Sequence, residues 1–599
     1  MRQSTRRRNP TAKDLAIQRG EATTGEEFDE PPSGSVRHYM HPDYQHPRDS
    51  GAYANNFTYC DYAYLAADEE LFVASSSESQ DDPKSLKEAQ SRADWSEWQQ
   101  AMDREINTLE SAGTWVNVPR PTDKNIVGSK WVFRIKRKAD GSIKKYKARL
   151  VAQGFTQKFG VDYFDTFSPV AKLSSFRTIL AIAACNDWDA DTFDFNGAYL
   201  NGELSDNEEI YMKPPPRYTS EGEQVKHLLK SLYGLKQAGC KWYETLSCAL
   251  SDLGFQVNDA DPGVFSSHIE NQTTILAIHV DDCLITGSSS KLITDYKQML
   301  NERYSLTDLG PVHWLLGIKI TRNREARTLS LSQTAYIDTI LSRFSLSNTR
   351  PLASPISPGA TLSKINTPSD ATEMDHMKKI PYREAVGSLM YAAVATRPDV
   401  TFAISTLSQF LENPGLVHWE AVKRVLRYLS GTKTHALTYG NERHDLLGYT
   451  DADGASQDHR HAISGYAFLI DGAAISWASH KQELVTLSTA KAEYVATTHA
   501  AKECLWLRRL TSQLFGHVTT PTTLYCDNQA AIHLATDDNY HARTKHIDIQ
   551  FHFIQQTITD GAIHIEYCPT QDMTTDILTK ALPKHKVAIH SQNLAICRT

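Results

Sequence analysis

Several things are scarce in this chain of 599 residues. Long apolar runs are missing: stretches such as Ile275 to Val280 fall far short of the roughly 20 residues that a membrane-crossing helix needs. The opening MRQSTRRRNPTAKD has no apolar stretch behind its arginines, so it does not read as a secretory signal. Cysteine is sparse, nine in all, and no pair stands at CxxC spacing. A zinc ribbon and a thioredoxin-type motif are thereby excluded, and reduced thiols in an intracellular, non-secreted protein are expected. No internal repeat is visible. A membrane protein, a fibrous protein and a small stapled scaffold are set aside on these grounds.

What is present fits a globular protein. The hydrophobic fraction is 40% and the charged fraction 22%. At about 150 residues per domain, the length suggests about four domains. The net charge of −8 argues at first against a nucleic-acid partner. Its distribution reverses that. Residues 21–110 hold 20 Asp/Glu against 6 Lys/Arg, whereas residues 120–158 hold 12 Lys/Arg against 2 Asp/Glu. The basic stretch WVFRIKRKADGSIKKYKARLV is suited to phosphates, although a solvated hairpin face would look the same.

Residues 1–90 are polar and acidic, with PPSGS, HPDYQHPRDSG and SSSESQDDP, and read as a disordered linker. Order is expected from near Asp94, where Trp95, Trp98, Met102, Ile106 and Leu109 recur at helical spacing. Lys130–Lys136 and Tyr146–Ala152 read as a hairpin turning at Ala139-Asp140-Gly141, and Ser175–Cys185 and Tyr336–Phe344 as helices. Residues 346–372 are Pro/Ser/Thr-rich and read as a linker, and 383–430 as helical. After Leu446 come three strands, a helix, a strand and a helix, an α/β order.

Two groups of acids carry the chemistry. Asp281 and Asp282 sit at the bend of the apolar hairpin AIHVDDCLITG, and Asp194 ends an apolar strand in DFNGAYLNG. Adjacent carboxylates among apolar residues are costly without a cation, and a hard divalent ion takes oxygen ligands. Three such acids can hold two metals, which suits attack by a 3′-hydroxyl and departure of pyrophosphate. An Asp-Asp pair alone is weak, since such pairs are commonly solvated turns. The second group is Asp451 and Asp527 at strand ends, Glu493 in a helix and Asp576 at the start of the last helix. Singly, each would pass for a cap or a solvated acid.

The segment from Trp95 to Phe344 resembles the reverse transcriptase of Ty1/copia-type LTR retrotransposons. The resemblance rests on an ordered series: TWVNVPRP, KWVFRIKR, KARLVAQGFTQKFGVDYFDTFSPVAK, DFNGAYLNGEL, EEIYMKPP, LKSLYGLKQA, HVDDCLITG, and DLG followed by LLGIKI. It implies a right-hand polymerase with fingers and palm, and Asp194, Asp281 and Asp282 as its metal ligands. It implies that Lys147 and Arg149 meet the incoming triphosphate. It also puts Tyr199 under the sugar, favouring dNTPs over rNTPs, and Gly234, Lys236 and Gln237 in a loop beneath the templating pair. LLGIKI resembles the segment that holds the primer end. Two departures stand out. His279 replaces the usual Tyr, and protonated it would add a cation beside the metals. Gly239-Cys240 replaces Pro-Arg, which puts the loop's rigidity and a phosphate contact in question.

Residues 446–583 resemble the copia-type ribonuclease H, through YTDAD, SGYAFLI, SWASHKQ, AEYVA, YCDNQAAI, RTKHIDIQFHFI and DILTKAL. That implies two-metal hydrolysis of RNA in an RNA–DNA hybrid, with Asp451, Glu493, Asp527 and Asp576 as ligands. His546 and His552 are secondary candidates, with helix packing or capping as the plainer explanation. Lys491 stands where Glu is usual and His480 where Lys is usual; a lysine near Glu493 could perturb the site. YREAVGSLMYAAVATRPDV and HWEAVKRVLRYLSGT resemble the connection between polymerase and nuclease. Arg397, Lys423 and Arg424 are phosphate-contact candidates there, although exposed basic residues are the default.

No zinc knuckle, Asp-Thr/Ser-Gly protease signature or integrase core is visible, and the chain reads as the polymerase–nuclease portion of such a polyprotein. The expected fold class is α/β: an α+β palm and fingers, a helical connection and a ribonuclease H-like α/β domain. The expected divisions are 1–90, 91–345, 346–440, 441–585 and a C-terminal tail 586–599. The expected cofactor is Mg2+, two per active site, with Mn2+ as a substitute. The expected partners are an RNA template, a DNA or tRNA primer, RNA–DNA hybrid and dNTPs, with no membrane and with homodimerisation open. The alternative is a decayed or domesticated copy that binds nucleic acid without catalysis. A host DNA-processing enzyme would not explain why both motif sets share one chain.

Overall fold

The computed structural model describes residues 82–598, apart from 138–141, 206, 219–222, 361, 441–444, 454–460, 484, 487, 517–519 and 537–547. The turn expected at Ala139-Asp140-Gly141 and most of the expected N-terminal linker lie outside the described residues. Structure begins ahead of Asp94. Helix Leu86–Ser91 lies inside the stretch expected to be disordered, and Ser85 caps it by accepting from the Glu88 amide. Helix Trp95–Ser111 follows and buries Trp98, Met102, Ile106 and Leu109. It packs on an antiparallel hairpin, Ser129–Arg137 with Ile143–Ala152. Trp131, Phe133, Ile135, Ala148 and Leu150 of the hairpin are buried, and Trp98 meets Phe133 and Tyr146 edge-on at 5.2 and 4.8 Å. Strand alternation sends Arg134, Lys136, Lys147 and Arg149 to the opposite face. The charge run thus follows from a period of two. Truncating Trp98, which is fully buried, would cost about 3–5 kcal/mol.

A six-stranded antiparallel sheet forms the centre. Its order is Leu306–Pro311, Asp189–Phe195, Asp282–Gly287, Gln272–His279, Val264–Ile269 and Gln256–Val257. Its two faces are both apolar. Phe193, Phe195, Leu276, Ile278, Cys283 and Ile285 pack against helices Ala238–Asp252 and Ser290–Arg303. Ala190, Ile275, Ala277 and Leu284 pack against helix Leu173–Cys185. A sheet covered on both sides explains why its strands read as continuous apolar runs.

A second sheet draws on three distant parts of the chain. Its order is Trp314–Leu315, Ile318–Asn323, Thr328–Ser332, His435–Tyr439 and Ile596–Arg598. The C-terminal tail contributes a helix, Lys584–Asn593, and a paired strand. Residues 314–332, which hold LLGIKI, pair with the connection's strand His435–Tyr439. The segment 346–372 is packed rather than a free linker, with Ser354, Ile356 and Ser363 buried. The helical stretch is present as Tyr382–Ala395, Thr401–Ser408 and Leu416–Gly431.

Arg397 is not an exposed phosphate contact. It is fully buried, and its guanidinium clasps Asp399 (2.7 and 2.9 Å) and the Thr432 carbonyl (3.1 Å), while the Tyr428 hydroxyl donates to Asp399 (2.6 Å). Lys423 pairs with Glu420 at 2.6 Å, and Arg424 donates to Ser354 Oγ at 2.9 Å.

The last sheet runs Ala473–Lys481, Ile463–Ile470, Leu446–Asp453, Thr522–Cys526 and Ile563–Tyr567. Its first three strands are antiparallel and the rest join in parallel. Helix Thr489–Phe515 crosses it. The expected order of three strands, helix, strand and helix is therefore observed, and the architecture is α/β. Among the described residues no helix is long and apolar enough to cross a membrane, and the described cysteines are free thiols.

Asp471 turns the chain between Ile463–Ile470 and Ala473–Lys481 with φ +56°. Its carboxylate lies against the Cys185 thiol, and burial pushes its pKa up to about 7. The folded value lies above the unfolded one, so this group's favourable contribution is complete only below about pH 4 and is lost as pH rises through 7. Asp471→Asn cannot ionise and tolerates the left-handed backbone. Thermal melts should show it more stable than the unaltered chain at pH 8, with a gap that shrinks towards pH 4.

Candidate active sites

Asp194 and Asp282 are direct cross-strand partners, and Asp281 occupies the turn between the two central strands. Val280 adopts φ +62°, a conformation that a β-branched residue rarely takes. The turn is held from both sides: Trp242 Nε1 donates to the Val280 carbonyl at 2.9 Å, and the Phe195 amide donates to the Asp281 carbonyl at 3.2 Å. One carboxylate oxygen from each of Asp194, Asp281 and Asp282 falls within 4.8 Å of the others. Burial, then the neighbouring Asp281, pushes Asp194 up to about 6 and Asp282 up to about 7. Asp194 Oδ1 is buried without a hydrogen-bond partner. Such a trio suits a hard divalent ion, which would use the orphaned oxygen and relieve the repulsion.

The basic face of the hairpin looks onto this trio. Lys136, Lys147 and Arg149 pull the Asp194 pKa down against the larger upward push. Lys147 is itself lowered to about 8, first by burial and then by Arg149 and Lys136. Arg149 lies 4.7 Å above the Tyr233 ring, which meets Tyr199 edge-on at 5.3 Å. Tyr199 is half-buried in a short turn, Ala198–Asn201, that follows Gly197 (φ +67°). Tyr233 escaped the sequence reading, although it lies inside the quoted LKSLYGLKQA.

Gly234, Lys236 and Gln237 do not all face the site. Gly234 has φ +88°, and a Cβ there would stand 2.3 Å from the Ala152 carbonyl oxygen. The Lys236 amide donates to Gln157 Oε1 at 2.9 Å, and its ammonium donates to the Tyr163 hydroxyl at 3.0 Å. Gln237 is fully buried, bonded to Gln157 and to the Asp162 carbonyl. It is a strut between two loops rather than a group offered to a nucleotide.

The departures acquire physical meanings. Burial lowers the His279 pKa, with Asp281 opposing, so the expected extra cation is disfavoured. Gly239 belongs to the first turn of helix Ala238–Asp252 rather than to a loop, and a Cβ there would press within 2.9 Å of Ser168. Cys240 is buried, and burial raises its thiol to about 12. It offers no phosphate contact.

The second cluster lies in the last sheet. Asp451 lies within strand Leu446–Asp453, two residues before the end at which it is expected, Asp527 follows Thr522–Cys526, and Glu493 projects from helix Thr489–Phe515, capped by Ser488. Oxygens of Asp451, Glu493 and Asp527 lie within 4.8 Å of one another, and Glu493 Oε2 is buried without a hydrogen-bond partner. Burial, reinforced by the other acids, raises the Glu493 and Asp451 carboxyls above their ordinary range. Asp576 stands apart from this trio. It pairs with Lys580 at 2.6 Å, and Lys580 reaches Asp451 at 3.2 Å. Lys580 was not singled out in the sequence, yet DILTK places it four residues after Asp576, one helical turn on. The donor set again suits a divalent ion.

His552 is exposed on helix Asp548–Thr559 and is not a member of the trio. His546 lies outside the described residues. His480 is bonded to His499 at 2.7 Å, where burial lowers His499 to about 3.

Comparison with known proteins gives the family. Residues 112–358 match the family profile described as reverse transcriptase (RNA-dependent DNA polymerase). The chain is 43% identical over 509 residues to the retrovirus-related Pol polyprotein from transposon TNT 1-94 of Nicotiana tabacum, covering 84% of this chain and 38% of that protein. It is 37% identical over 509 residues to the Pol polyprotein from transposon RE2 of Arabidopsis thaliana, with 84% and 34% covered. It is 32% identical over 316 residues to the putative transposon Ty5-1 protein of Saccharomyces cerevisiae, with 52% and 99% covered. A foamy viral protease-reverse transcriptase solved with double-stranded DNA superposes loosely, with TM-score 0.40 and 12% identity over 79% of this chain and 69% of that one. The chain belongs to the copia-type retrotransposon reverse transcriptase family. It spans little more than a third of the two plant polyproteins.

The raised carboxyls set a test. In metal-free protein the folded Asp194 and Asp282 values exceed the unfolded ones, so their contribution is favourable at low pH and is lost as pH rises through 6 to 7. A cation binds the ionised form, so the rise in melting temperature with Mg2+ or Mn2+ should be larger at pH 8 than at pH 6. Asp282→Asn should raise the metal-free melting temperature at pH 8 and shrink the metal-induced gain.

Proposed function

We propose that this chain is an RNA-directed DNA polymerase with a tethered ribonuclease H acting on RNA–DNA hybrid. The observation that carries the reading is the trio Asp194, Asp281 and Asp282 opposite the basic face of Lys136, Lys147 and Arg149. Opposed charges of this kind suit a triphosphate: the basic side chains hold its oxygens while the acids hold cations. Mg2+ bound by the acids would supply the positive charge that the departing pyrophosphate needs. The 3′-oxygen of a DNA or tRNA primer would attack the α-phosphorus of a dNTP paired with an RNA template. Tyr199, braced by Tyr233, would lie under the sugar, and Lys147 and Arg149 would bind the phosphates.

In the second site Asp451, Glu493 and Asp527 would orient water for attack on the RNA strand, with a cation there stabilising the departing 3′-oxygen. Asp576 would act at one remove. Lys580 would keep Asp451 and Asp576 together and offset their charge until ions and substrate arrive. We place the activity inside the cell, with homodimerisation left to experiment. The family's pattern and both acid clusters are present, so a binding-only copy gains no support from the site itself.

Primer extension tests the reading. The full chain, given an RNA template, a DNA primer, dNTPs and Mg2+ or Mn2+, is expected to extend the primer, and Asp281→Asn to reduce extension by about a thousandfold or more. Asp451→Asn should stop hydrolysis of the hybrid's RNA and leave extension intact. Folded protein that extends nothing with either metal would be a binding-only copy.

A further inference from the structure

The two acid clusters lie in one compact unit, residues 61–599, and buried polar contacts tie them together. The central piece is Arg177 on helix Leu173–Cys185, the helix that leads into the strand bearing Asp194. Its side chain is 5% exposed. Nε donates to the Ile475 carbonyl at 2.7 Å, and Nη1 donates to the Val394 and Ala395 carbonyls at 2.7 and 3.0 Å. The guanidinium also lies 4.0 Å from the centre of the Trp477 ring, and Trp477 Nε1 donates to the Ala393 carbonyl at 3.0 Å. One side chain therefore joins the polymerase helix, the last turn of helix Tyr382–Ala395 and the edge strand Ala473–Lys481 of the nuclease sheet. The carbonyls at a helix C-terminus lack intrahelical partners and carry its negative end, so a fixed cation with several directed N–H groups fits them.

A second pin leads to the same helix. Trp506 Nε1 donates to the Ala260 carbonyl at 2.7 Å, and Asn258 Nδ2 donates to the Leu510 carbonyl at 3.1 Å. Asp261, in the same loop, accepts from the Lys172 amide at 2.8 Å and the Ser175 hydroxyl at 2.5 Å, at the start of helix Leu173–Cys185. The Lys172 ammonium lies 4.4 Å from the Trp506 ring centre. Trp506 stands on the helix that carries Glu493. The two pins meet at the start and middle of helix Leu173–Cys185, and Gln513 bonds Asp259 beside them, so the polymerase sheet and the helix carrying Glu493 are held at several points. Sliding the nuclease along helix Leu173–Cys185 would break several desolvated hydrogen bonds at once.

We propose that Arg177 is a positioning residue for the nuclease step: it sets how many base pairs separate the growing DNA 3′ end from the cut in the RNA. The proposal rests on the polymerase–nuclease reading above. Arg177 touches neither acid cluster. Its directed bonds hold the offset between them, so a hybrid seated at the first site presents its RNA to the second at one position. Loss of the clasp loosens the offset without altering either set of acids.

The experiment uses the full chain with Mg2+ or Mn2+ and an end-labelled RNA annealed to DNA with a recessed 3′ end. Cut positions are mapped on a sequencing gel, and primer extension is measured in parallel. The unaltered chain is expected to give one narrow cluster of cuts. Arg177→Met keeps the stem and removes the donors. It should lower the share of cuts at the principal position by about threefold or more, with extension and total hydrolysis within about twofold of the unaltered chain. Arg177→Lys, which keeps charge without the fork, should fall between. Trp506→Phe, which removes the second pin's indole N–H and weakens its contact with Lys172, should widen the cluster in its own right, and Arg177→Lys decides the matter if Arg177→Met does not fold. An unchanged narrow cluster in the folded variants overturns the proposal, as does an unaltered chain that extends and cuts with scattered positions. An unaltered chain that neither extends nor cuts removes the underlying function instead.

Discussion

Like-charged carboxylates gathered at the ends of apolar strands are the constraint around which the rest is arranged. Direct pairing of Asp282 with Asp194 makes their repulsion a consequence of sheet register rather than of side-chain choice. Each unit by which such a carboxyl is raised corresponds to about 1.4 kcal/mol of disfavoured charge. The apolar faces on both sides of the central sheet keep the register despite that cost. A slip of one residue would turn Phe193, Phe195, Leu276 and Ile285 away from their helices. Binding energy for a cation is therefore stored in packing far from the charges.

The two clusters meet the same constraint differently. In the first, the balancing charge comes from a separate element, a hairpin whose apolar face packs on Trp98. In the second, the balancing charge is local: Lys580 follows Asp576 by one helical turn and reaches Asp451. The second cluster is also the more buried, with Asp451 and Glu493 withdrawn from solvent.

Local periodicity was readable and long-range partnership was not. Helix Trp95–Ser111, the basic hairpin and the strand order after Leu446 each follow from patterns within a dozen residues. Asp194, Asp281 and Asp282 stood out because apolar neighbours framed them, and Asp451, Glu493 and Asp527 through the strand and helix order and the motifs around them; the fold brings the six together as two trios. Asp576 does open a helix, but it is the short Asp576–Thr579 rather than the last one, and its lysine partner was hidden by the ordinariness of a Lys at that spacing. Arg397 looked like a surface cation although Asp399 lies two residues on, because Tyr428 and Thr432 close over the pair only once helix Leu416–Gly431 has packed. Gln237 looked like part of a nucleotide loop for the same reason: Gln157 and Asp162 lie some eighty positions earlier in the chain.

The sheet assembled from residues 314–332, 435–439 and 596–598 has a bearing on how the chain matures. Strand His435–Tyr439 leaves the ribosome long before Ile596–Arg598, its neighbour on one side. Until that strand arrives, the backbone donors and acceptors of His435, Ala436 and Leu437 line an open edge, a template for pairing with a second nascent chain. Synthesis is thus accompanied by an interval of vulnerability that closes only when helix Lys584–Asn593 and its strand dock. Chaperone occupancy, translation speed over the intervening stretch and crowding of neighbouring ribosomes all act on the chain during that interval.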